Sequence, residues 1–367
     1  MRTSPSHQTP RRRTLLLSLP LAILAIVVPS AASAAVPPQF FGVSAVLPTE
    51  TDFDRMGKAG LGTYRFDVSW RGVQSTRNGG YEWGAVDYQV REAALAGMQP
   101  APYLYGTPSF ITEDPTAFVP PTGSKQDRRG WRSFLAAAVR RYGPDGEFWQ
   151  QNPDVPARAV KSWIIWNEQN ARAFWKPKPN PRDYATLIEI SDAAISSVDP
   201  DASIVLGGMF GYPLKPNVPA VHFLERFYAV PKIERHFEAI GVHPYGADVA
   251  AVKTQIKQAR AAVRKAGDPD VDIVVGEIGW ASTLFGAKGQ ATRLKKGLAL
   301  LAKKRRAWNL LGAYIYVWRD FETPIDDNYD DTSTSACLWC PGAGLVQFDG
   351  TPKPALKSVE EAIRSNR

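Results

Sequence analysis

Apolar side chains fall into two kinds of run along this chain, and the two kinds alternate. The first kind is short, aromatic or β-branched, and apolar at consecutive positions: residues 40–46, 63–70, 100–105, 160–166, 203–207, 240–245, 272–275 and 312–318. A strand buried on both faces reads this way, because neither side of the pleat meets water. The second kind is longer and repeats its apolar positions with helical period: 52–59, 87–96, 131–142, 181–198, 222–228, 252–266, 291–308 and 354–363. Gly97, Gly143-Pro144 and Gly267-Asp268-Pro269 follow three of these as stop signals.

Eight strand–helix alternations predict a parallel sheet covered by helices, and that number suits closure into an α/β fold of the (β/α)8 TIM-barrel type, a single domain over 35–367. An open doubly wound sheet is the alternative. Against it, no glycine-rich phosphate loop follows the first strand; Gly57, Gly60 and Gly62 come too late and end a helix. Residues 107–129 and 144–159 carry neither pattern and are expected as long loops. The first of them follows a strand's C-terminal end, the face where barrel enzymes keep their active sites.

Residues 1–34 have the make-up of an export signal: Arg11, Arg12 and Arg13, an apolar run over 15–28, and Ala32-Ser33-Ala34 as a cleavage site. The apolar run is interrupted by Ser18 and Pro20 and is short for a span of ~20 residues. A secreted chain beginning near Ala35, with no membrane partner after signal removal, is the expectation. Arg12-Arg13-Thr14-Leu15-Leu16 also resembles a loose twin-arginine signal. Losing Arg2, Arg11, Arg12 and Arg13 leaves 44 − 4 = 40 basic against 36 acidic residues, so the net charge falls from +8 to +4. Lys253, Lys257, Arg260, Arg264 and Lys265, and the basic residues of 293–306, are interleaved with Ala and Leu in helical segments. A solvated helix face accounts for them better than a phosphate groove, so no nucleic-acid partner is expected.

Cys337 and Cys340 are three positions apart, and in an oxidising compartment such a pair is expected to close a disulfide. A zinc site needs two further ligands in ordered spacing, which His7, His222, His236 and His243 do not offer. Neither metal nor cofactor is expected.

Two glutamates stand out against this background. Glu168 ends Ser162-Trp163-Ile164-Ile165-Trp166-Asn167, and Glu277 ends Asp272-Ile273-Val274-Val275-Gly276. A charge directly after a strongly apolar strand is costly inside a core but available for chemistry at the strand's mouth. Taken singly, each serves equally well as a helix cap or a structural ion pair. As a pair they meet the needs of glycosidic-bond hydrolysis, one carboxyl to protonate the leaving oxygen and one to attack the anomeric carbon or activate water.

Trp166-Asn167-Glu168 after the fourth strand and Gly276-Glu277-Ile278-Gly279-Trp280 after the seventh resemble the two signatures of clan A glycoside hydrolases, the "4/7" superfamily. The second motif is similar to that of the β-xylosidase and iduronidase family, glycoside hydrolase family 39, and of some cellulase-like members. The likeness runs over about residues 39–364. It implies that Glu168 is the general acid/base, Glu277 the nucleophile, and that Asn167 hydrogen-bonds the sugar 2-hydroxyl. Arg65, in Thr63-Tyr64-Arg65-Phe66-Asp67, resembles the arginine that keeps the nucleophile ionised, with a structural salt bridge as the alternative. His243-Pro244-Tyr245 resembles the clan's His-x-Tyr, in which the tyrosine orients the nucleophile and the histidine meets substrate; alone, His243 reads equally as a core residue. Trp318 looks like the tryptophan that floors the −1 subsite, often followed by a cis peptide.

Trp70, Tyr105, Phe110, Trp175 and Trp280 lie near predicted strand ends and are candidate sugar platforms, each equally readable as core. The expected function is that of a secreted retaining β-glycosidase acting on a poly- or oligosaccharide, as a monomer. A non-catalytic carbohydrate-binding barrel and a transglycosylase of surface polysaccharide are its rivals.

Overall fold

The computed structural model describes residues 35–114, 118–211, 217–322 and 340–367. The predicted signal segment and Cys337 lie outside them. Eight parallel strands form the centre: β1 (Phe41–Ser44), β2 (Thr63–Ser69), β3 (Gln99–Tyr105), β4 (Ser162–Ile165), β5 (Ser203–Leu206, continued by Met209–Phe210), β6 (Ala239–His243), β7 (Asp272–Ile278) and β8 (Leu310–Tyr316). Each strand pairs in parallel with its neighbours in sequence; β8 pairs with β1 (Gly42 beside Tyr314) and β5 with β6 (Val205 beside Ala239), so the sheet has no free edge. The outer ring is α1 (Glu50–Lys58), α2 (Gly84–Leu95), α3 (Lys125–Tyr142), α4 (Pro181–Ser196), α5 (Ala220–Phe227), α6 (Val249–Lys265), α7 (Ser282–Lys304) and α8 (Pro354–Arg364), one after each strand. This is a (β/α)8 barrel, and residues 35–367 make one compact unit.

Both strand faces are buried, for different reasons. Outward side chains such as Tyr64, Phe66 and Trp163 join the main core beneath the helices. Inward ones form a smaller cluster, Ile164, Val205, Ala239 and Val274 with Tyr103 and Tyr314 against it, which fills the barrel so that no pore remains. Inward residues above that plug have nowhere to go but the C-terminal mouth.

Two expected loops are shorter than the apolar pattern implies. Residues 125–130 are the opening turns of α3, where the Ser124 hydroxyl accepts from the Asp127 amide at 3.0 Å. Lys-Gln-Asp-Arg-Arg-Gly carries no apolar period because it lies largely on the wet side, so the capping signal was the only mark of the helix start. Within 144–159, Glu147–Gln151 makes a short helix that buries Phe148 and Trp149. The helix expected over 291–308 begins earlier, at Ser282, with Gly286 at φ 68° breaking its path, and ends at Lys304. Among the described residues no helix is long and apolar enough to cross a membrane.

Candidate active site

The chain after β4 turns sharply. Trp166 (φ 73°) and Glu168 (φ 42°) both occupy the left-handed region, which non-glycine residues enter at a cost. That turn is tied down on both sides: the Trp166 amide donates to the Leu104 carbonyl at 2.8 Å and the Glu168 amide to the Gly208 carbonyl at 3.0 Å. Behind it stands a buried aromatic column in which Trp70, Trp131, Trp166, Trp175 and Tyr184 meet edge to face. Asn167 and Glu168 are thereby thrown from a rigid wall across the mouth.

Four strand ends converge there. Arg65 on β2 is buried and donates through Nη1 to Glu277 Oε1 on β7 at 2.9 Å and through Nη2 to Asn167 Oδ1 at 2.8 Å. The Tyr103 ring faces its guanidinium at 4.2 Å. Tyr245, after β6, donates its hydroxyl to Glu277 Oε2 at 2.6 Å. His243 Nδ1 lies 2.8 Å from Glu168 Oε1 and 3.6 Å from Glu277 Oε2. His243 Nε2 is buried without a hydrogen-bond partner, so the ring's polar contacts run through Nδ1, between the two carboxylates.

Glycines make the room for that ring. A Cβ on Gly208 would stand 1.9 Å from His243 Nε2, and one on Gly276 would stand 2.8 Å from it. These two residues were missed in the sequence, although Gly207-Gly208 after β5 and Gly276 before the second glutamate marked places where backbone and ligand-bearing side chains come close.

The carboxylates have opposed environments. For Glu277, burial pushes the pKa up, but the pull of His243 and Arg65 and the hydrogen bonds from Tyr245 and Arg65 outweigh it, holding the group below its ordinary value. For Glu168, burial wins: the His243 hydrogen bond and charge oppose it, the neighbouring Glu277 adds to it, and the pKa is raised. One oxygen from each glutamate and His243 Nδ1 all lie within 4.8 Å of one another. These are also three potential metal ligands, yet Glu277 already accepts from Arg65 and Tyr245, and a cation there would sit beside a permanent positive charge. The donor set suits proton traffic.

The aromatic expectations fare unevenly. Trp70 and Trp175, fully enclosed, belong to the column behind the acid turn and cannot stack on a sugar. Phe110, half-buried, packs its ring against Trp70 and under the Arg77 guanidinium. Trp280 is 2 % exposed and pinned through its indole nitrogen to the Gly246 carbonyl at 2.7 Å. Trp318, 0 % exposed, donates instead to Asp52 Oδ1 at 2.8 Å, away from the mouth. The cis peptide falls two residues earlier, at Tyr316–Val317, and it is half-buried Tyr316 that ends β8 with its ring 6.4 Å from that of Tyr245. The strand ends at Tyr316, and although the Trp318 amide still donates to the Ser44 carbonyl at 2.9 Å, the indole is turned to Asp52 in α1. Tyr105, half-buried at the end of β3, stacks on Phe118 with ring centroids 5.3 Å apart.

A (β/α)8 barrel whose fourth and seventh strands each present a carboxylate at the C-terminal mouth has the architecture of clan A glycoside hydrolases, which this chain resembles. Solved structures carry the same fold. A family 39 glycoside hydrolase from the gut symbiont Bacteroides cellulosilyticus WH2 is 19 % identical with a TM-score of 0.63, over 89 % of this chain and 63 % of its own, so the chain spans less than two thirds of that relative. A monomeric β-xylosidase from Caulobacter crescentus CB15 is 15 % identical with a TM-score of 0.63, over 89 % and 68 %. A GH5_18 enzyme from Streptomyces cattleya, in complex with Manβ1-4GlcNAc, is 16 % identical with a TM-score of 0.61, over 89 % and 81 %. No family model and no curated protein matches the chain. At these identities the likeness establishes the fold.

Proposed function

We propose that this chain is a secreted, retaining β-glycoside hydrolase of the clan A kind, acting on an oligo- or polysaccharide, with Glu277 as nucleophile and Glu168 as acid/base. The observation that carries the reading is the pair of carboxylates: close together, with pKa values moved in opposite directions by their surroundings. Two carboxyls near 5 Å leave no room for water between nucleophile and sugar, so attack by the carboxylate itself is favoured. Glu277, kept ionised by Arg65 and Tyr245, attacks the anomeric carbon while Glu168 gives its proton to the departing oxygen. In the second half-reaction Glu168 takes a proton from water, the water oxygen bonds to the anomeric carbon, and the Glu277 ester is released. Asn167, its oxygen held by Arg65, has its amide donor left for a sugar hydroxyl. The two structural relatives named for glycosidase activity support a carbohydrate substrate, and the one described as monomeric supports a monomer. The signal over 1–34 and a Cys337–Cys340 disulfide belong to the same secreted reading.

The test is hydrolysis of aryl β-glycosides of gluco, xylo, galacto and manno configuration, followed by proton NMR. The β-anomer should appear first, and Glu277→Gln should lower turnover by about 10⁴-fold or more, as loss of a covalent nucleophile does. Release of the α-anomer first, or no hydrolysis across the panel, overturns the reading.

A further inference from the structure

Asp67 is an acidic residue of the mouth that the catalytic scheme leaves unused. It lies two positions beyond Arg65 on β2, so it shares Arg65's inward face and stands ~6.6 Å further toward the C-terminal opening. In register it is opposite Tyr103, the ring that covers the Arg65 guanidinium, with half-buried Tyr105 two positions further along β3. Its flanking outward neighbours Phe66 and Val68 are buried under the helices, whereas Asp67 is exposed.

A structural role for it is missing. Among the described residues Asp67 forms no ion pair and accepts no side-chain hydrogen bond; the helical turn that follows is capped by Ser69, whose hydroxyl accepts from the Gly72 amide. Aspartate is poorly suited to a strand interior, and an inward charge with no partner needs another reason to be there. Its carboxyl reaches solvent, yet burial pushes its pKa up, with its own backbone amide and then Arg65 pulling the other way. Its place on the inward face of β2, opposite Tyr103, puts it within the mouth of the barrel.

We propose that Asp67 is a sugar-recognition residue of this cleft, accepting hydrogen bonds from two adjacent hydroxyls of a neutral sugar and turning away uronic and other anionic sugars. The inference rests on the reading of the cleft as a glycoside site. Arg65 and Glu277 nearly cancel, so the unpaired carboxylate gives the mouth a surplus negative charge, which disfavours an anionic ligand. The positive charge of Arg65 on the same face disfavours an ammonium group there, while hydroxyl donors meet no such opposition. A carboxylate whose remaining lone pairs face the cleft is matched to a vicinal diol.

The experiment is calorimetric titration of the Glu168→Gln protein, which blocks turnover while keeping the Arg65–Glu277 pair, with xylobiose, cellobiose, β-1,4-galactobiose and β-1,4-mannobiose, and with a uronic acid-containing disaccharide. At least one neutral disaccharide should bind, and adding Asp67→Asn should weaken it by about tenfold or more while narrowing the gap to the uronic sugar, as the loss of charge-assisted hydrogen bonds implies. Asp67→Ser serves as a second variant, and circular dichroism checks the fold of each. Unchanged affinity in both variants, a uronic sugar bound as tightly as the neutral ones by the Asp67 protein, or silence across the panel overturns the proposal. Hydrolysis by the wild type is scored separately. Turnover without Asp67-dependent binding removes this inference alone, and Asp67-dependent binding without turnover removes the hydrolase reading alone.

Discussion

Glu168 and Glu277 are chemically identical, and their difference is made by neighbours. Catalysis needs Glu277 ionised and Glu168 protonated, so kcat/KM should rise with pH through the pKa of Glu277, below the ordinary 4.5, and fall as pH passes that of Glu168, above it. A pH–rate profile of the wild type checks this bell, whose limbs belong to the coupled pair. His243 lowers the Glu168 value through its 2.8 Å contact. Gly208→Ala would drive a methyl into the His243 ring, which has no slack against Gly276. Misplacement of a positioning group by about 1 Å costs ~10²-fold, and kcat should fall by about that much. With the histidine contact loosened, the alkaline limb should also move to higher pH. A variant with a depressed rate and an unmoved limb would count against this role of His243.

At the scale of elements, the barrel's closing region is bolted by a buried carboxylate. Asp52, in the first turn of α1, closes a capping box with Thr49 and accepts from Trp318 Nε1 and, through both oxygens, from Arg319 Nη2 just after β8. Trp318 is held in this anchor with its ring fully enclosed, which leaves no face open to a sugar. Burial pushes the Asp52 pKa up, but the bonds from Arg319, Trp318 and Thr49 outweigh it, so the folded value lies below 3.8. A depressed carboxylate adds stability above its unfolded pKa and loses it as pH falls through the folded one. Asp52→Asn should therefore cost about 2–4 kcal/mol in urea unfolding at neutral pH, discounted because Arg319 is partly exposed. The difference from wild type should shrink progressively as pH drops below 3.8; a pH-independent difference would mean that the charge is not what matters. The early start of α3 makes a similar point, since its opening turns were written in a cap and not in an apolar face.

For the whole molecule, the site exists because a sheet closes. Arg65 and Glu277 are separated by 212 positions, Arg65 and Asn167 by 102, and only a barrel sets these strand ends around one mouth. Residues 35–367 form one compact unit with interlocked strands, so they should unfold in a single transition that coincides when followed by circular dichroism and by tryptophan fluorescence. Cleavage of the leader belongs to the same scale: protein recovered from the medium should begin near Ala35 on N-terminal sequencing, and an intact Met1 there would remove the secretion proposal.

The sequence by itself determined the architecture, because parallel strands buried on both faces and helices buried on one leave period and polarity marks that survive without any knowledge of contacts. It also carried Glu168 and Glu277, since charged groups at the ends of apolar strands are conspicuous, while Arg65, Asn167, His243 and Tyr245 came with the motifs' resemblance to clan A. Tertiary structure alone decided the fate of the aromatics. Trp70, Trp175, Trp280 and Trp318 face inward to packing while Tyr316 takes the end of β8, and nothing local tells a ring that stacks on a sugar from one that fills a core. It alone supplied the physical reason why Glu277, the expected nucleophile, is the one held ionised, because desolvation and the distances to His243, Arg65 and Tyr245 are properties of the assembled mouth. And it alone set Asp67 beside that mouth: the sequence shows an aspartate in a strand, but only closure of the barrel shows that, among the described residues, no basic side chain forms an ion pair with it.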